Sequence, residues 1–259
     1  MEQVRAWSPA IGGVREVFHA RFTDHAYPAH THDAWTLLIV DTGAVTYRLD
    51  RHEHGTRTSH VTLLPPHVPH DGRATTPDGF HKRVLYLETD VLGADLVGSA
   101  VDAPELHDGL LRHRIDQLHR ALTPFQEDLE VESRLALVVE RLRHHLADVR
   151  PLRRRDPGLA AQLRDLLDAN VVEGVSLAEA ARALQAHPVH LVRVFTGTFG
   201  IPPHRYLTGR RVDRARRLLL LGHRPADVAQ AVGFHDQAHL GRHFKRTLGV
   251  PPARYARSR

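Results

Sequence analysis

Residues 190–207 read HLVRVFTGTFGIPPHRYL, and residues 239–256 read HLGRHFKRTLGVPPARYA. The two stretches begin 49 residues apart and are identical at ten of eighteen positions. A repeat of this size indicates two modules that do the same physical job. The residues that precede each copy indicate which module it is.

The second copy lies in a pattern typical of a helix-turn-helix. The preceding PADVAQAV predicts a short helix, because its proline suits the first helical turn. Gly233 can adopt the positive φ that ends this helix, and Asp236 is a favourable N-cap for the next one. That next helix has an apolar face at Leu240, Phe244 and Leu248. Its opposite face is basic, so we expect this helix to enter the DNA major groove.

The first copy repeats this plan with weaker signals at the turn. Its second helix has an apolar face at Leu191, Phe195 and Phe199, but the turn reads Gln185-Ala186-His187, without glycine or a strong cap. We therefore expect the second unit to keep its turn better. Residues 203–221 between the units predict one helix, about 28 Å long at about 1.5 Å per residue. One turn of B-DNA is roughly 34 Å, so the two recognition helices can reach successive major grooves.

Charge divides the chain into two halves. Residues 1–149 contain 15 Lys and Arg against 22 Asp and Glu, a net charge of −7, whereas residues 150–259 contain 20 against 8, a net charge of +12. The basic half carries the repeat, as contact with DNA phosphates requires. The prolines and charge run of RPLRRRDPG at 150–158 predict a linker, which gives domains at 1–149 and 159–259.

Composition excludes several classes of protein. The chain has no cysteine, so it forms neither disulfides nor thiolate metal sites. It has no apolar run near the ~20 residues that a membrane span needs. Its first residues, MEQVRAWSPAIGG, lack the apolar core of a signal peptide. We expect a soluble cytoplasmic protein without a membrane partner.

The N-terminal half predicts short strands separated by turns, which favours a small β-barrel able to hold one ligand. Residues 41–43 (Asp-Thr-Gly) are predicted to be a turn. Helices are expected from about 105 to 147, where an amphipathic helix either packs on its own domain or forms a dimer face. The predicted strands are Trp35–Val40, Ala44–Leu49, Val61–Leu64 and Arg83–Leu87. The apolar face of the better helix is Val131, Leu135, Val138, Leu142 and Leu146.

Three histidines are candidates for chemistry in this half. His30, His32 and His70 can converge at the mouth of a barrel. Imidazole binds Zn, Fe, Ni or Cu, and three ligands would leave one coordination position open. Two alternatives stay open: chance clustering in a chain with 22 histidines, and neutral histidines that donate hydrogen bonds to an organic ligand.

Residues 159–257 resemble the DNA-binding domain of the AraC family of transcriptional regulators. The likeness rests on GFHDQAHLGRHFKRTLGVPPARY at 233–255 and on HLVRVFTGTFGIPPHRYL at 190–207. The N-terminal half resembles the cupin-like sensor domain that often precedes it, through PAHTHDAWTLLIVDTGAVTY and LLPPHVPH. The resemblance implies an α+β protein of two domains. These are a cupin-like β-barrel with trailing helices and an all-α domain of two helix-turn-helix units joined by a long helix.

The resemblance implies a sequence-specific regulator of transcription rather than an enzyme. Such proteins bind double-stranded DNA, are often activators that act with RNA polymerase, are often homodimers, and respond to a small molecule in the barrel. Candidates for base contacts are Val189, Val192, Arg193, Gln237, Ala238, His239 and Arg242. Candidates for phosphate contacts are Lys245, Arg246 and the basic central helix. Candidates for effector contacts are His30, His32, Trp35, Tyr47, His67, His70 and Tyr86.

One departure from the family pattern concerns metal. Metal-binding cupins usually follow His-x-His with a Glu three or four residues later, where this chain has Trp35 and Thr36. We therefore expect neither a metal nor another cofactor. Two alternatives remain: a metal-dependent cupin enzyme fused to DNA-binding helices, and a regulator without effector whose barrel serves only as a dimer scaffold.

Overall fold

The computed structural model describes residues 3–122, 128–147 and 158–257, so all but Gly158 of the predicted linker lies outside the described residues. The strands are β1 (Gln3–Trp7), β2 (Val14–Phe22), β3 (Tyr27–His30), β4 (Trp35–Leu49), β5 (His52–Arg57), β6 (Val61–Leu64), β7 (His70–Ala74), β8 (Phe80–Leu87) and β9 (Glu105–Leu106). The helices of the N-terminal domain are α1 (Thr89–Leu92), α2 (Val97–Asp102), α3 (Gly109–Ala121) and α4 (Asp128–Ala147). The helices of the C-terminal domain are α5 (Leu159–Ala169), α6 (Leu177–Ala183), α7 (Pro188–Phe199), α8 (Pro203–Leu220), α9 (Pro225–Ala231), α10 (Gln237–Leu248) and α11 (Pro252–Ala256).

Strand β4 organises the N-terminal domain, and the predicted turn at 41–43 is wrong. The chain runs through these residues as one strand of 15 residues, with a bulge between Val40 and Thr42. Gly43 has φ 76°, and a Cβ there would lie 2.1 Å from the carbonyl oxygen of Gly79. A bulge bends a strand and increases its twist. The first part of β4 therefore pairs with β6 and β8, and its last part pairs with β5 and β7.

The sheet does not close into the predicted barrel. Its strand order is β1-β2-β8-β4-β6-β9, and β3 joins through β7. Within the described residues β1 and β9 end this path and do not pair with each other. The structure therefore corrects the barrel to an open sheet that folds over at β4.

One face of this sheet packs against α3 and α4. The predicted apolar face of α4 is buried there with Trp35, Leu37 and Leu85 of the sheet. The helices differ from the predicted start at about 105, because the short helices α1 and α2 precede that point and residues 105–106 form β9. Helix α3 begins at Gly109, where Asp108 caps it by accepting from the backbone N–H of Leu111. The sequence left open whether the apolar face of α4 packs on its own domain or forms a dimer face, and in the structure this face packs on its own domain.

The other face of the sheet packs against the C-terminal domain. Phe18, Leu38 and Tyr86 of the sheet belong to the same apolar cluster as Leu219 of α8 and Phe244 of α10. The sheet therefore lies between its own helices and the second predicted helix-turn-helix unit, an arrangement that the sequence did not predict.

The C-terminal domain has the predicted helices. The pairs α6/α7 and α9/α10 form the two units, and α8 connects them as one helix of 18 residues. Among the described residues, no helix combines the length and apolar character that a membrane span requires.

Candidate DNA-binding surface and sensor cavity

Helix α10 presents the predicted base-contacting residues on one side. Its opposite side is fixed by the buried Leu240, Phe244 and Leu248. Gln237, Ala238 and Arg242 are exposed near its N-terminus, and Lys245 and Arg246 are exposed further along. This order agrees with a recognition helix whose first residues lie nearest the bases.

His239 differs from its neighbours because it is half-buried. Its ring packs edge-on against Phe234, with centroids 5.2 Å apart, and against His243 at 4.9 Å. Burial lowers the pKa of His243, together with the charges of His239, Arg246 and Arg242. His239 is therefore held partly by packing, while Arg242 remains free to reach outward.

Helix α7 presents a smaller exposed surface. Val189 is 59% exposed and Arg193 is also exposed, but Val192 is half-buried. Val192 lines a groove of about 210 Å³ together with Leu163 and Leu207. The structure thus places two of the three predicted residues of this helix outward and turns the third toward α5 and α8.

The turns of the two units differ as expected. In the first unit Gln185 has φ 49°, which is unfavourable for a side chain with a Cβ, and His187 Nδ1 accepts from the N–H of Val189 at 3.3 Å. In the second unit Gly233 has φ 86°, and Asp236 accepts from the N–H of His239 at 2.6 Å. The prediction that the second unit keeps the better turn is confirmed.

A small cavity of about 50 Å³ lies between the N-terminal sheet and the end of α10. Leu248 of α10 contributes to its wall. Five of the predicted effector residues line it: His30, His32, Tyr47, His70 and Tyr86. Phe18, Tyr27 and Lys82 also line it and were not predicted.

Two predicted effector residues lie elsewhere. Trp35 is fully buried on the opposite face of the sheet, where its Nε1 donates to the carbonyl oxygen of Thr89 at 3.3 Å. Successive residues of a strand point to opposite faces, which is why Thr36 lines the cavity and Trp35 does not. His67 lies outside the cavity, and its backbone N–H donates to the carbonyl oxygen of His32 at 2.7 Å.

The three predicted histidines come together in this cavity. The ring centroids of His30, His32 and His70 lie 4.6 to 5.1 Å apart. Burial lowers the pKa of all three rings, that of His70 to about 4. The neutral form of each imidazole is therefore favoured at neutral pH.

Lys82 introduces a cation into the same cavity. Its Nζ lies 3.9 Å from the centroid of the Tyr27 ring. Burial lowers the pKa of Lys82 to about 7, helped by the charge of Arg216. Lys82 is the only lysine among residues 1–149, a signal that could have singled it out from the sequence.

Buried ionic groups connect the cavity to the C-terminal domain. Arg216 of α8 donates to Glu16 of β2 at 2.6 Å, and both side chains are only 4% exposed. Tyr255 of α11 also donates its hydroxyl to Glu16. The Arg216 guanidinium lies 4.1 Å from the centroid of the Tyr86 ring, which lines the cavity. A chain of direct contacts thus runs from the cavity to α8 and α11.

Asp33 forms a second connection beside the first. It accepts from Arg217 of α8 at 2.9 Å and from Arg15 of β2 at 2.6 Å, and Arg210 of α8 lies 3.4 Å away. Burial opposes ionisation of Asp33, but the charges of Arg210, Arg15 and Arg217 hold its pKa well below the usual range. Asp33 is therefore an ionised carboxylate shared between the domains.

Comparison with known proteins agrees with both halves of this arrangement. Residues 12–139 match the AraC-like ligand binding domain, and residues 180–258 match a helix-turn-helix domain. The HTH-type transcriptional regulator YbfI of Bacillus subtilis (strain 168) is 25% identical over 221 residues, covering 82% of this chain and 80% of YbfI.

Solved structures share the fold over both domains. ToxT from Vibrio cholerae O395 matches with a TM-score of 0.64 and 11% identity, covering 100% of this chain and 97% of ToxT. The AraC-like transcriptional activator CuxR matches with a TM-score of 0.50 and 19% identity, covering 82% of this chain and 79% of CuxR. The ligand-binding match, the helix-turn-helix match and the regulator relative place this chain among regulators rather than enzymes. The chain belongs to the AraC family of transcriptional regulators, as a DNA-binding protein with an N-terminal ligand-binding domain.

Proposed function

We propose that this regulator reads DNA bases directly with α7 and α10, and that a small molecule in the N-terminal cavity controls this reading. The observation that carries the proposal is the composition of the cavity wall. Residue Leu248 of the recognition helix α10 lines the same cavity as His30 and Tyr86 of the sheet. A ligand that changes the cavity therefore acts directly on the element that meets DNA.

Base readout would come from the exposed ends of the two helices. Arg242 and Arg193 can each form two hydrogen bonds to guanine, Gln237 can pair with adenine, and Val189 and Ala238 can contact thymine methyl groups. Lys245 and Arg246 would bind phosphates, which position the protein without specifying sequence. Val192 and His239, which are half-buried, would contribute less than their neighbours.

The effector would be a small molecule with polar and aromatic groups. Histidine and tyrosine side chains in the wall offer hydrogen bonds and stacking, and Lys82 offers a charge for an anion. A cavity of about 50 Å³ is far below the roughly 300–1,000 Å³ typical of ligand sites. A larger effector would have to part the sheet from α10 as it enters. A structure of wild-type ToxT is described with a bound unsaturated fatty acid, which supports an organic ligand in this architecture.

The small cavity also favours a second candidate function. In this second function, the regulator has no organic effector, and the N-terminal domain serves as a scaffold for a dimer. The exposed outer surface of α3 and α4 supports a dimer in either case, because Leu110 is 47% and Leu137 is 45% exposed there. We propose that the protein is a cytoplasmic homodimer that contacts RNA polymerase. We propose activation rather than repression of transcription, since the structural neighbour CuxR is described as a transcriptional activator.

Genome-wide occupancy of the tagged protein, followed by binding of purified protein to the recovered site across a salt series, tests the function. We expect a discrete motif with two short blocks about one helical turn apart. Diffuse occupancy with a steep salt dependence would contradict base readout. Candidate metabolites from the neighbouring genes are then added: a change in affinity supports effector control, and none supports the scaffold.

A further inference from the structure

Each of the three clustered histidines has its Nδ1 fixed by an oxygen atom. The Nδ1 atoms of His30 and His70 lie 2.7 and 3.1 Å from backbone carbonyl oxygens two residues earlier in the chain. The Nδ1 of His32 lies 3.0 Å from Oδ1 of Asp213. Carbonyl and carboxylate oxygens only accept hydrogen bonds, so each Nδ1 carries a proton. In a neutral imidazole the Nε2 atom then keeps its lone pair.

The nitrogens that remain converge on one point. Nε2 of His30 and Nε2 of His32 are 3.1 Å apart. One ring nitrogen from each of His30, His32 and His70 lies within 4.8 Å of the other two. Two lone pairs at this distance repel each other unless a proton or a metal cation lies between them. Nitrogens that bind one Zn²⁺ tetrahedrally, at about 2.0–2.1 Å, lie roughly 3.3 Å apart, close to the observed separation.

We propose that His30, His32 and His70 form a binding site for a divalent transition-metal cation of the Zn²⁺ type, coordinated through their Nε2 atoms. An all-imidazole set favours Zn²⁺, Co²⁺, Ni²⁺ or Cu²⁺ over Mg²⁺ and Ca²⁺, which prefer oxygen ligands. Three ligands leave a fourth position for water or for a donor atom of an effector. The site reverses the expectation, drawn from the missing Glu, that this chain binds no metal.

Asp213 makes this site dependent on both domains. Metal-bound histidines typically donate their other N–H to a carboxylate or carbonyl, which orients the ring and raises its basicity. Here the carboxylate for His32 comes from α8, the helix between the two DNA-binding units. The His32 ring therefore has the hydrogen bond that orients it only when α8 lies against the sheet. Metal binding and domain contact are consequently linked, each favouring the other.

Two cations oppose a metal at this position. Lys82 lines the same cavity, and Arg216 lies 3.6 Å from Asp213. Each raises the electrostatic cost of a further positive charge. Lys82 is held against the Tyr27 ring, so its replacement by an uncharged side chain of similar length removes this charge and leaves the three histidines in place. The variant Lys82→Met should bind Zn²⁺ more tightly than the wild type.

The test uses the full chain without DNA, so its outcome is independent of the proposed DNA readout and effector control. Protein stripped with a chelator is titrated with Zn²⁺ by calorimetry and with Co²⁺ by visible absorption. We expect one Zn²⁺ per chain and Co²⁺ absorption bands of a tetrahedral nitrogen site. In ¹H–¹⁵N spectra of the histidine rings, Zn²⁺ should shift three Nε2 signals while their Nδ1 protons remain. A folded wild type that takes up no Zn²⁺, with a proton shared between the rings, would overturn the proposal.

Variants localise the metal. Binding should be lost in His70→Gln and weakened about 10–100-fold in Asp213→Ala, since loss of an outer carboxylate has an effect of that size. The matched control is His107→Ala, in a second, more exposed cluster of His60, Glu105 and His107. Stoichiometry should be unchanged in this control. Unchanged binding in folded His70→Gln, or loss of binding in His107→Ala, would overturn the assignment.

Discussion

The two helix-turn-helix units have nearly the same sequence plan but are packed into different cores. The first unit packs with α5 around Leu191, Phe195 and Tyr206, in a small cluster largely its own. The second unit shares a cluster with the N-terminal sheet, in which Phe244 and Leu248 lie with Phe18 and Tyr86. The two copies of the module therefore differ in their packing: the second unit shares a large core with the ligand-binding domain, whereas the first unit's cluster meets that domain at Ala29 of β3.

The largest expected change in stability follows from removal of the buried ion pair that holds α8 against the sheet. Arg216→Ala leaves the buried carboxylate of Glu16 without its cation, although the Tyr255 hydroxyl still donates to it. This loss should cost about 3–5 kcal/mol of the free energy of unfolding. Chemical denaturation measures this loss. The matched control is Arg73→Ala, whose partner Glu53 is equally exposed at 61%, and it should change stability by about 0–1 kcal/mol. Equal losses in both variants would mean that the pair does not hold the domains together.

Substitutions of the turn residues should have the next largest effect on the free energy of unfolding, with opposite signs in the two units. A Cβ at Gly233 would lie 2.2 Å from the Val172 carbonyl oxygen, at a positive φ, so Gly233→Ala should destabilise by roughly 1–3 kcal/mol or more. Gln185→Gly relieves a positive φ and should stabilise by about 0.5–1 kcal/mol. Thermal unfolding with two-state analysis compares them. Destabilisation by Gln185→Gly would contradict the strain assigned to the first turn.

Removal of the N-cap side chains of the two recognition helices should lower stability by smaller amounts, and by different amounts in the two helices. Asp236→Ala removes an acceptor at 2.6 Å and should destabilise α10, with added fraying at its DNA-facing end. His187→Ala removes a weaker acceptor at 3.3 Å and should cost less. Hydrogen exchange of the first amides of α7 and α10 reports each effect separately. A larger loss of protection in α7 would reverse the ranking of the two caps.

The helical half was predictable because its signals are local. Proline and glycine at the turns, Asp236 as a cap and apolar residues every four positions each act within one helix, and the structure has the predicted pairs. The bulge in β4 was predicted wrongly as a turn at 41–43, because a glycine in a bulge and a glycine in a turn give the same local pattern. The ion pair between Glu16 and Arg216 joins residues 200 positions apart, and no local pattern encodes it.

The cavity was predictable only in part. The spacing of His30 and His32 and the Pro-rich loop before His70 indicated a cluster, and these rings do meet. Trp35 was misplaced because its side of the sheet depends on the register of β4, which composition does not fix. Asp213 could not be assigned to His32, since it comes from the other domain.

The most direct test of the central claim, that both units read bases, is a binding-site selection with wild type, Arg193→Ala, Arg242→Ala and Lys245→Ala. We predict that Arg242→Ala relaxes one base pair in one block, at a cost of about 1–3 kcal/mol, and that Arg193→Ala relaxes one in the other block. Lys245→Ala should weaken binding to all sequences alike and reduce its salt dependence. Uniform weakening by both arginine variants, with both blocks of the motif intact, would contradict direct readout by the two helices.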